Sequence, residues 1–561
     1  MDDDLDAAKL AIHAALGDIG FERDFTRRAK CLYTGVLDKA GLAVPVSIEV
    51  TDFDFLEYPE IRIAPQYVLP DRKLPHILGI EQSVCYYARG TVVLDRYNPA
   101  GTVLQCLKKC EEVIRDAVRG RLNDDFADEF GSFWSSVNSL ADLPGEADGV
   151  GSVKYIRLGP GKEPVPVLAK DESWLWSRDP ANGGKGQGEP AFIVRTNAAL
   201  SINPNAKWPP GNVTELDRWL TWNDPTLGGK MQVALAKGGG DVGVLAVKAS
   251  NGLFLCRAVV PVPYRTKEIL ENRRGNMAKN LTRIGSKISV ERISSAPVDS
   301  SYVFGRNLHG SSNLADKRIL LIGCGTIGGF LAQQLAQCGA GAGKGELTLV
   351  DPDSLYPANL GRHLLGAPYL YDNKARACAE FIGSQLPPLN IRAVPDYVER
   401  VGIFSDRHDI VIDATGEEAL SIALNHRAVR ERPASPPIMF VWLEGNGAVA
   451  KSLLTGQPTH ACLKCLKPKL AAAARHRTLK SEESIVIERN AACGDGAYVP
   501  FPVSRSVGAA AMACDHVLDW VNGVHGDRLR SRTFDNAKAY IVPDSSPKPS
   551  TDCPACGKSH A

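Results

Sequence analysis

The stretch that most limits what this chain can fold into is Arg318-Ile319-Leu320-Leu321-Ile322, which runs straight into Gly323-Cys324-Gly325-Thr326-Ile327-Gly328-Gly329. A short apolar run of this kind predicts a buried strand. The spacing then predicts a helix over Phe330 to Cys338 and a second strand over Glu346 to Val350. Together these make one βαβ unit with a glycine-rich turn at its first junction. Glycines let the backbone approach a phosphate closely, and the following helix offers unpaired N–H groups and a positive dipole end. Gly323, Gly325 and Gly328 are the candidate cradle. Taken alone, the turn also fits a dehydrogenase, a flavoprotein or a tight turn with no ligand.

Residues beyond this unit narrow the choice. The second strand ends in Asp351-Pro352-Asp353, where an acid can hydrogen-bond a ribose hydroxyl. Next come Asn359-Leu360-Gly361-Arg362-His363 and Asn373-Lys374-Ala375-Arg376. A guanidinium can fork onto phosphate oxygens and an ammonium acts as a point charge, so this order suits a triphosphate better than a nicotinamide. Asp409 to Gly416 reads as a further strand ending in an acid, and Asp413 is placed to hold Mg²⁺ against the phosphates.

This array resembles the ThiF/MoeB-type adenylation domain shared by ubiquitin-activating enzymes. The family pattern combines a GxGxxG loop, a D-x-D, an N-x-x-R, a following lysine and a later Asp at a strand end. The counterparts here are Gly323, Gly325, Gly328, Asp351, Asp353, Asn359, Arg362, Lys374 and Asp413. The family also carries an Arg-Gln-like element before the first strand that reaches into a partner's ATP site. Gly305-Arg306-Asn307 stands at that place, so the resemblance implies Arg306 in that role and a homodimer.

Cys462-Leu463-Lys464-Cys465 and Cys553-Pro554-Ala555-Cys556 offer four thiolates, the donor set of a tetrahedral structural zinc. A redox role is disfavoured because neither pair is expected to start a helix in a thioredoxin-like pattern. The long gap between the pairs resembles that of ThiF/MoeB-type domains. Between them lies Asn490-Ala491-Ala492-Cys493-Gly494-Asp495-Gly496. Small residues and glycines around a cysteine predict an accessible loop thiol. In activating enzymes a loop in this region takes the acyl group from the adenylate, which implies that role for Cys493; an unreactive loop thiol is the alternative.

The N-terminal segment opens with a helical pattern, Leu5 to Leu16, continues into strand-like runs at Val44 to Val50 and Ile61 to Ile63, and closes with an amphipathic helix, Thr102 to Arg119. Before that helix stand Pro75-His76-Ile77 and then Cys85. This order resembles a ubiquitin-conjugating enzyme, in which a His-Pro-Asn stretch precedes a loop cysteine. The resemblance implies that Cys85 carries an acyl group. No asparagine stands at the oxyanion-stabilising place, which leaves His76 as its stand-in. A structural thiol is the alternative for Cys85.

The expected architecture is therefore α/β, in three parts. Residues 1–142 form a ubiquitin-conjugating-like α+β domain. Residues 150–298 form a β-rich linker domain with no chemical signature, after a linker containing Leu143-Pro144-Gly145-Glu146 and Gly149-Val150-Gly151. Residues 300–561 form the Rossmann-like adenylation domain. The net charge of +1 gives no bulk attraction to nucleic acid or anionic membrane, and no apolar run is long enough to span a bilayer. Fourteen cysteines without an export signal suit a reducing cytoplasm.

An activating and a conjugating domain in one chain resembles the bacterial fusions encoded with cGAS-like nucleotidyltransferases in CBASS antiphage operons. The resemblance implies ATP, Mg and Zn as cofactors. The implied substrate is a protein with a ubiquitin-like C-terminus, a cGAS-like nucleotidyltransferase, joined to an acceptor lysine in antiviral defence. A sulfur-transfer adenylyltransferase of cofactor biosynthesis and a non-catalytic ATP-binding scaffold are the other readings.

Overall fold

The computed structural model describes residues 2–25, 31–38, 43–67, 72–79, 81–134, 138–143, 148–159, 161–170, 172–178, 188–237, 242–259, 283–401, 407–432, 434–469, 474–481, 485–489, 497–524 and 526–557. The chain divides into two units, Met1–Pro297 and Val298–Ala561.

The first unit begins with an antiparallel sheet. Its strands are β1 (Glu22–Arg23), β2 (Cys31–Asp38), β3 (Ala43–Val50), β4 (Glu60–Ile63), β5 (Ile77–Leu78) and β6 (Ser83–Val84), in the order β1-β2-β3-β4-β6-β5. Helices Asp2–Asp18 and Pro99–Val118 pack together on it. Val103, Cys106, Leu107, Cys110, Val113, Ile114 and Ala117 recur at helical spacing and are all buried, which fixes one face of the second helix on the sheet. Asn98 caps that helix, accepting from the Gly101 N–H at 3.0 Å.

The same unit continues into a closed barrel. Its strands are β7 (Asn138–Asp142), β8 (Gly149–Ile156), β9 (Val165–Ala169), β10 (Glu189–Arg195), β11 (Val242–Ala249), β12 (Gly252–Val259) and β13 (Ser289–Pro297). One expectation changes here. Gly149-Val150-Gly151 is part of strand β8, paired with Ile193, Phe192 and Ala191, and not a linker. Its glycines serve close approach, since a Cβ on Gly151 would stand 2.4 Å from the Ala169 carbonyl oxygen. Residues 126–142, expected in the first domain, also carry side chains that pack against the barrel core, and supply its strand β7. Phe130 stacks on Trp219 at 5.5 Å, and the Trp134 indole donates to the carbonyls of Leu255 and Ile293, both at 3.2 Å. Aromatic burial of this size dominates a local core.

The second unit is a doubly wound sheet. Its strands are β14 (Arg318–Ile322), β15 (Glu346–Val350), β16 (Ile391–Val394), β17 (Ile410–Asp413), β18 (Ile438–Glu444) and β19 (Val449–Thr455). After the two-residue pair β20 (Glu488–Arg489) and β21 (Ala497–Tyr498) comes β22 (Leu529–Thr533). The order is β16-β15-β14-β17-β18-β19-β22, parallel as far as β18 and antiparallel beyond it. Alternate residues feed two cores. Ile319, Leu321, Leu347 and Ile412 pack with helices Gly328–Gln337, Lys374–Gln385 and Val503–Val521, while Leu320, Ile322, Val411 and Phe440 pack with Glu418–Arg430. Burial on both faces explains why these strands read as continuous apolar runs.

Candidate functional site

Strand order reverses between β14 and β17, and ligands of open α/β sheets bind where that happens, beyond the carboxyl ends of the strands. Ile322 at the end of β14 pairs in register with Asp413 at the end of β17. The glycine loop therefore opens beside Asp413. Gly323 has φ +87°, and a Cβ there would stand 2.9 Å from the Thr415 side chain. A Cβ on Gly328 would lie 1.8 Å from the Gly323 carbonyl oxygen. Gly325 has nothing within 4 Å of such a Cβ, so its role is toward what lies outside the loop.

The two acids of the D-x-D separate into different jobs. Asp351 is buried, and its carboxylate accepts the N–H groups of Cys324 at 2.7 Å and Asp353 at 2.9 Å. Burial pushes its carboxyl above the ordinary range, against those backbone bonds. It braces the loop from within. Asp353 is the exposed acid, at 67% for its side chain, and pairs with the Lys374 ammonium at 3.1 Å. Asn359 accepts from the Tyr356 N–H at 2.9 Å and so shapes the turn that presents Arg362. The Arg362 Nε is buried with no hydrogen-bond partner, and its guanidinium lies 5.8 Å from the centre of the Tyr498 ring. An unpaired buried guanidinium N–H keeps the capacity to donate to an anion.

Asp413 is 1% exposed, and burial raises its carboxyl. Its oxygens accept from the hydroxyls of Thr415 at 2.7 Å and Ser421 at 2.5 Å. His363, whose role the sequence alone did not disclose, is buried with its Nε2 2.6 Å from the Cys324 carbonyl oxygen. The Leu365 N–H donates to Nδ1 at 3.0 Å, which makes Nε2 the protonated nitrogen and ties it to the loop. Arg306 is exposed, just past the helix Ser300–Gly305, and lies over the Tyr302 ring of that helix at 5.7 Å.

Cys493 lies outside the described residues, but the segment that leads to it is anchored on both sides. Glu488 pairs with Tyr498 and Arg489 with Ala497. Asn446, on the turn between β18 and β19, donates to the carbonyls of Val486 at 2.9 Å and Pro500 at 3.1 Å, and accepts from the Val486 N–H at 2.8 Å. Nothing in the sequence pattern singled Asn446 out.

The four paired cysteines converge. Sγ atoms stand 3.8 Å apart for Cys462 and Cys465, 3.6 Å for Cys462 and Cys553, and 3.2 Å for Cys465 and Cys556. Tetrahedral ligation with zinc–sulfur bonds of about 2.3 Å needs sulfurs about 3.8 Å apart, so the set fits that ion. Asn425 donates to the Cys462 sulfur at 3.6 Å and the Ser550 N–H to the Cys465 sulfur at 3.4 Å, and donors of this kind orient metal thiolates. Cys462 caps the four-residue helix Leu463–Leu466, so one pair does start a helix, contrary to expectation. The second pair, brought within reach of the first, keeps the donor set that of a metal.

In the first unit, Cys85 follows β6, partly exposed, with its N–H donating to the His76 carbonyl at 2.7 Å. His76 has φ +62°. Its Nε2 lies 2.8 Å from Asp125 and its Nδ1 2.9 Å from Glu129. Contact with the Cys85 thiol and the two carboxylates raises the imidazole to about 10 against burial. A ring nitrogen of His76, the Cys85 sulfur and a Glu129 oxygen all lie within 4.8 Å of one another. Cys106 and Cys110 are buried, and burial pushes the Cys106 thiol up to about 11, which leaves both as core residues. Asp125 and Glu129 carry no sequence signal, being two acids in an acidic surface run.

The ThiF family model matches residues 303–555, and the Prokaryotic E2 family B model matches residues 13–142. The chain is similar to the ATP-dependent ubiquitin transferase-like protein Cap2 of Pseudomonas aeruginosa, 32% identical over 523 residues that cover 92% of each chain. It is 27% identical over 545 residues to the Cap2 of Escherichia coli strain TW11681, covering 86% of this chain and 87% of that one. Its likeness to the molybdopterin-synthase adenylyltransferase of Escherichia coli K12, 29% over 165 residues, takes in 28% of this chain and 63% of that protein. A nucleotide-type loop in one unit, a cysteine–histidine site in the other and a full-length match that spans both lead to one assignment: the chain belongs to the family of ATP-dependent ubiquitin transferase-like Cap2 proteins, which join a prokaryotic E2-type domain to a ThiF adenylation domain.

Proposed function

We propose that this enzyme activates the C-terminal carboxylate of a protein with ATP, carries the acyl group as a thioester on Cys493 and then on Cys85, and delivers it to an amine. The observation that carries the reading is the meeting of the glycine loop, Asp413, Lys374 and the unpaired Arg362 at one strand-order reversal. The loop N–H groups and Lys374 hold the phosphates, and Asp353 meets the ribose. The substrate carboxylate attacks the α-phosphorus, the α–β phosphoanhydride breaks and pyrophosphate leaves, and Arg362 and Lys374 stabilise the charge that grows on the phosphate oxygens. Asp413 suits Mg²⁺, which takes hard oxygen donors and needs only one or two carboxylates beside the phosphates. That ion supplies charge neutralisation at the phosphates. Arg306 serves the partner's site in a homodimer.

Cys493 as thiolate attacks the acyl-adenylate, and AMP leaves. Cys85 takes the acyl group by thioester exchange, and a lysine amine receives it. The Cys462, Cys465, Cys553 and Cys556 set holds zinc structurally. The names of the full-length relatives support a ubiquitin-like substrate, and the genomic company implied by the resemblance supports a cGAS-like nucleotidyltransferase in antiphage defence. A cytoplasmic location accords with the thiol chemistry; among the described residues no helix is long and apolar enough to cross a membrane.

The test is a pair of variants assayed with a purified partner. Cys493→Ala keeps ATP–pyrophosphate exchange but forms no thioester on either cysteine. Cys85→Ala keeps a thioester at Cys493 and makes no conjugate. A thioester on Cys85 in the Cys493→Ala protein would refute the relay order, and a conjugate at wild-type rate from Cys85→Ala would refute the role of Cys85.

A further inference from the structure

The catalytic neighbourhood of Cys85 contains an oddity that the relay does not account for. The Nδ1 of His76 is buried and makes no aligned hydrogen bond, although the Glu129 carboxylate stands only 2.9 Å away. The contact is one of charge, not of an N–H aimed at its acceptor. The other ring nitrogen is hydrogen-bonded to Asp125 at 2.8 Å. Buried donors are almost always paired, and one left over beside a nucleophile is positioned for something that arrives later. His76 is held rigidly for this, since its own carbonyl accepts the Cys85 N–H at 2.7 Å.

Two carboxylates on one imidazole favour its charged form. With His76 protonated, both ring nitrogens carry hydrogen. One donates to Asp125, and the other stands 2.9 Å from Glu129 without an aligned bond, on the side shared with Cys85. We infer that Asp125 and Glu129 are positioning residues that keep His76 as an imidazolium, and that its Nδ1–H is the donor to the acyl oxygen whenever the group enters or leaves Cys85. This rests on the proposed acyl-carrying role of Cys85. The rise of His76 to about 10, with the Cys85 thiol as its largest cause, agrees with the geometry.

The step balances without an external oxidant or reductant. On loading, a C–S bond forms to Cys85 and the C–S bond to the donor cysteine breaks, releasing a thiolate. On discharge, the amine nitrogen bonds to the carbonyl carbon, the Cys85 C–S bond breaks, and the ammonium proton passes to solvent. In both, negative charge collects on the acyl oxygen, and the imidazolium donates to it while keeping its proton. A neutral asparagine amide offers a dipole at such a place; a clamped imidazolium offers a full charge, worth more in a partly desolvated site.

The experiment uses the full-length protein and free lysine as acceptor. Variants are Asp125→Asn, Glu129→Gln, the two combined, His76→Gln and His76→Leu. Discharge of the Cys85 thioester falls by about a hundredfold in His76→Leu, the scale of losing one oxyanion donor. It falls less in His76→Gln, which keeps a neutral donor, and falls in the double carboxylate variant, while pyrophosphate exchange is unchanged in all. With ¹⁵N-histidine label, both ring nitrogens of His76 are protonated at pH 8 in the wild type; the titratable groups that face the ring are Cys85, Asp125 and Glu129. This second measurement needs no variant to fold. A neutral His76 at pH 8, or wild-type discharge from the double variant, overturns the inference. Wild-type conjugation by Cys85→Ala instead overturns the parent reading, so the two failures are told apart.

Discussion

Two glycines of one loop ought to fail in opposite ways. A Cβ on Gly328 would sit 1.8 Å from the Gly323 carbonyl oxygen and 2.8 Å from its carbon. The turn must open by about 1.6 Å to restore an ordinary contact of 3.4 Å, and the atoms in the way are backbone, not a side chain that can swing aside. Overpacking of this kind costs about 1–3 kcal/mol, more where backbone must move. For a unit of this size that lowers Tm by roughly 3–10 °C. Gly325 has ordinary φ and open space around its would-be Cβ, so Gly325→Ala leaves Tm unchanged or slightly higher. It does place a methyl where a phosphate must approach, and ATP affinity falls by at least about tenfold, about 1.4 kcal/mol. Thermal melts and calorimetric ATP titrations of the two full-length variants give both numbers. Wild-type ATP binding by Gly325→Ala would show that phosphate does not lie against this loop. An unchanged Tm in Gly328→Ala would show that the steric reasoning is wrong.

Asp413→Asn is expected to keep the fold, because an amide still accepts from Thr415 or Ser421, yet to reduce ATP–pyrophosphate exchange by at least about a hundredfold through loss of the carboxylate charge; normal exchange at saturating magnesium would count against it. Elemental analysis should find one zinc per chain, and Cys553→Ser should lose both the metal and the native melting transition, since such sites supply about 10 kcal/mol or more to folding. His363→Leu strands the buried Cys324 carbonyl at a cost of about 1–3 kcal/mol, and ATP affinity should drop with it. His76 gains its proton's partners on folding, so its contribution to stability is complete below its ordinary value near 6.5 and lost as pH rises through about 10. Hydrogen-exchange protection factors around β5 and β6, with the intrinsic base-catalysed rate divided out, should fall over that interval in the wild type and stay flat in His76→Gln.

What could be read from residues alone was whatever is local. The strand, the glycine turn and the helix are contiguous, and their chemistry needs those residue types in that order, so β14, β15 and β17 fell where expected. The cysteine pairs were legible for the same reason, because only a few ligand spacings hold a metal. Long-range partnerships were not. Asp125 meets His76 across 49 residues, and nothing distinguishes it in sequence from the solvated acids around it. Which acid of the D-x-D is exposed depends on strand pleat and loop closure, which turn Asp351 inward and leave Asp353 out. Gly149-Val150-Gly151 has the composition of a linker, yet close strand packing needs small residues just as a flexible joint does.

The cysteine pairs also set a clock. Cys462 meets Cys553 and Cys465 meets Cys556, each across 91 residues, and the segment bearing Cys493, the flanking pair β20 and β21 and strand β22 all fall inside the ring so closed. A ribosome adding 5–20 residues per second spends roughly 5–20 s between making the two halves of the clasp. Through that interval the residues of the glycine loop, Asp353, Lys374 and Asp413 already exist, while the ring that contains Cys493 has no fastener. A nascent chain can thus collect its nucleotide-binding elements early, but it closes the clasp around Cys493 only when translation has passed Cys556.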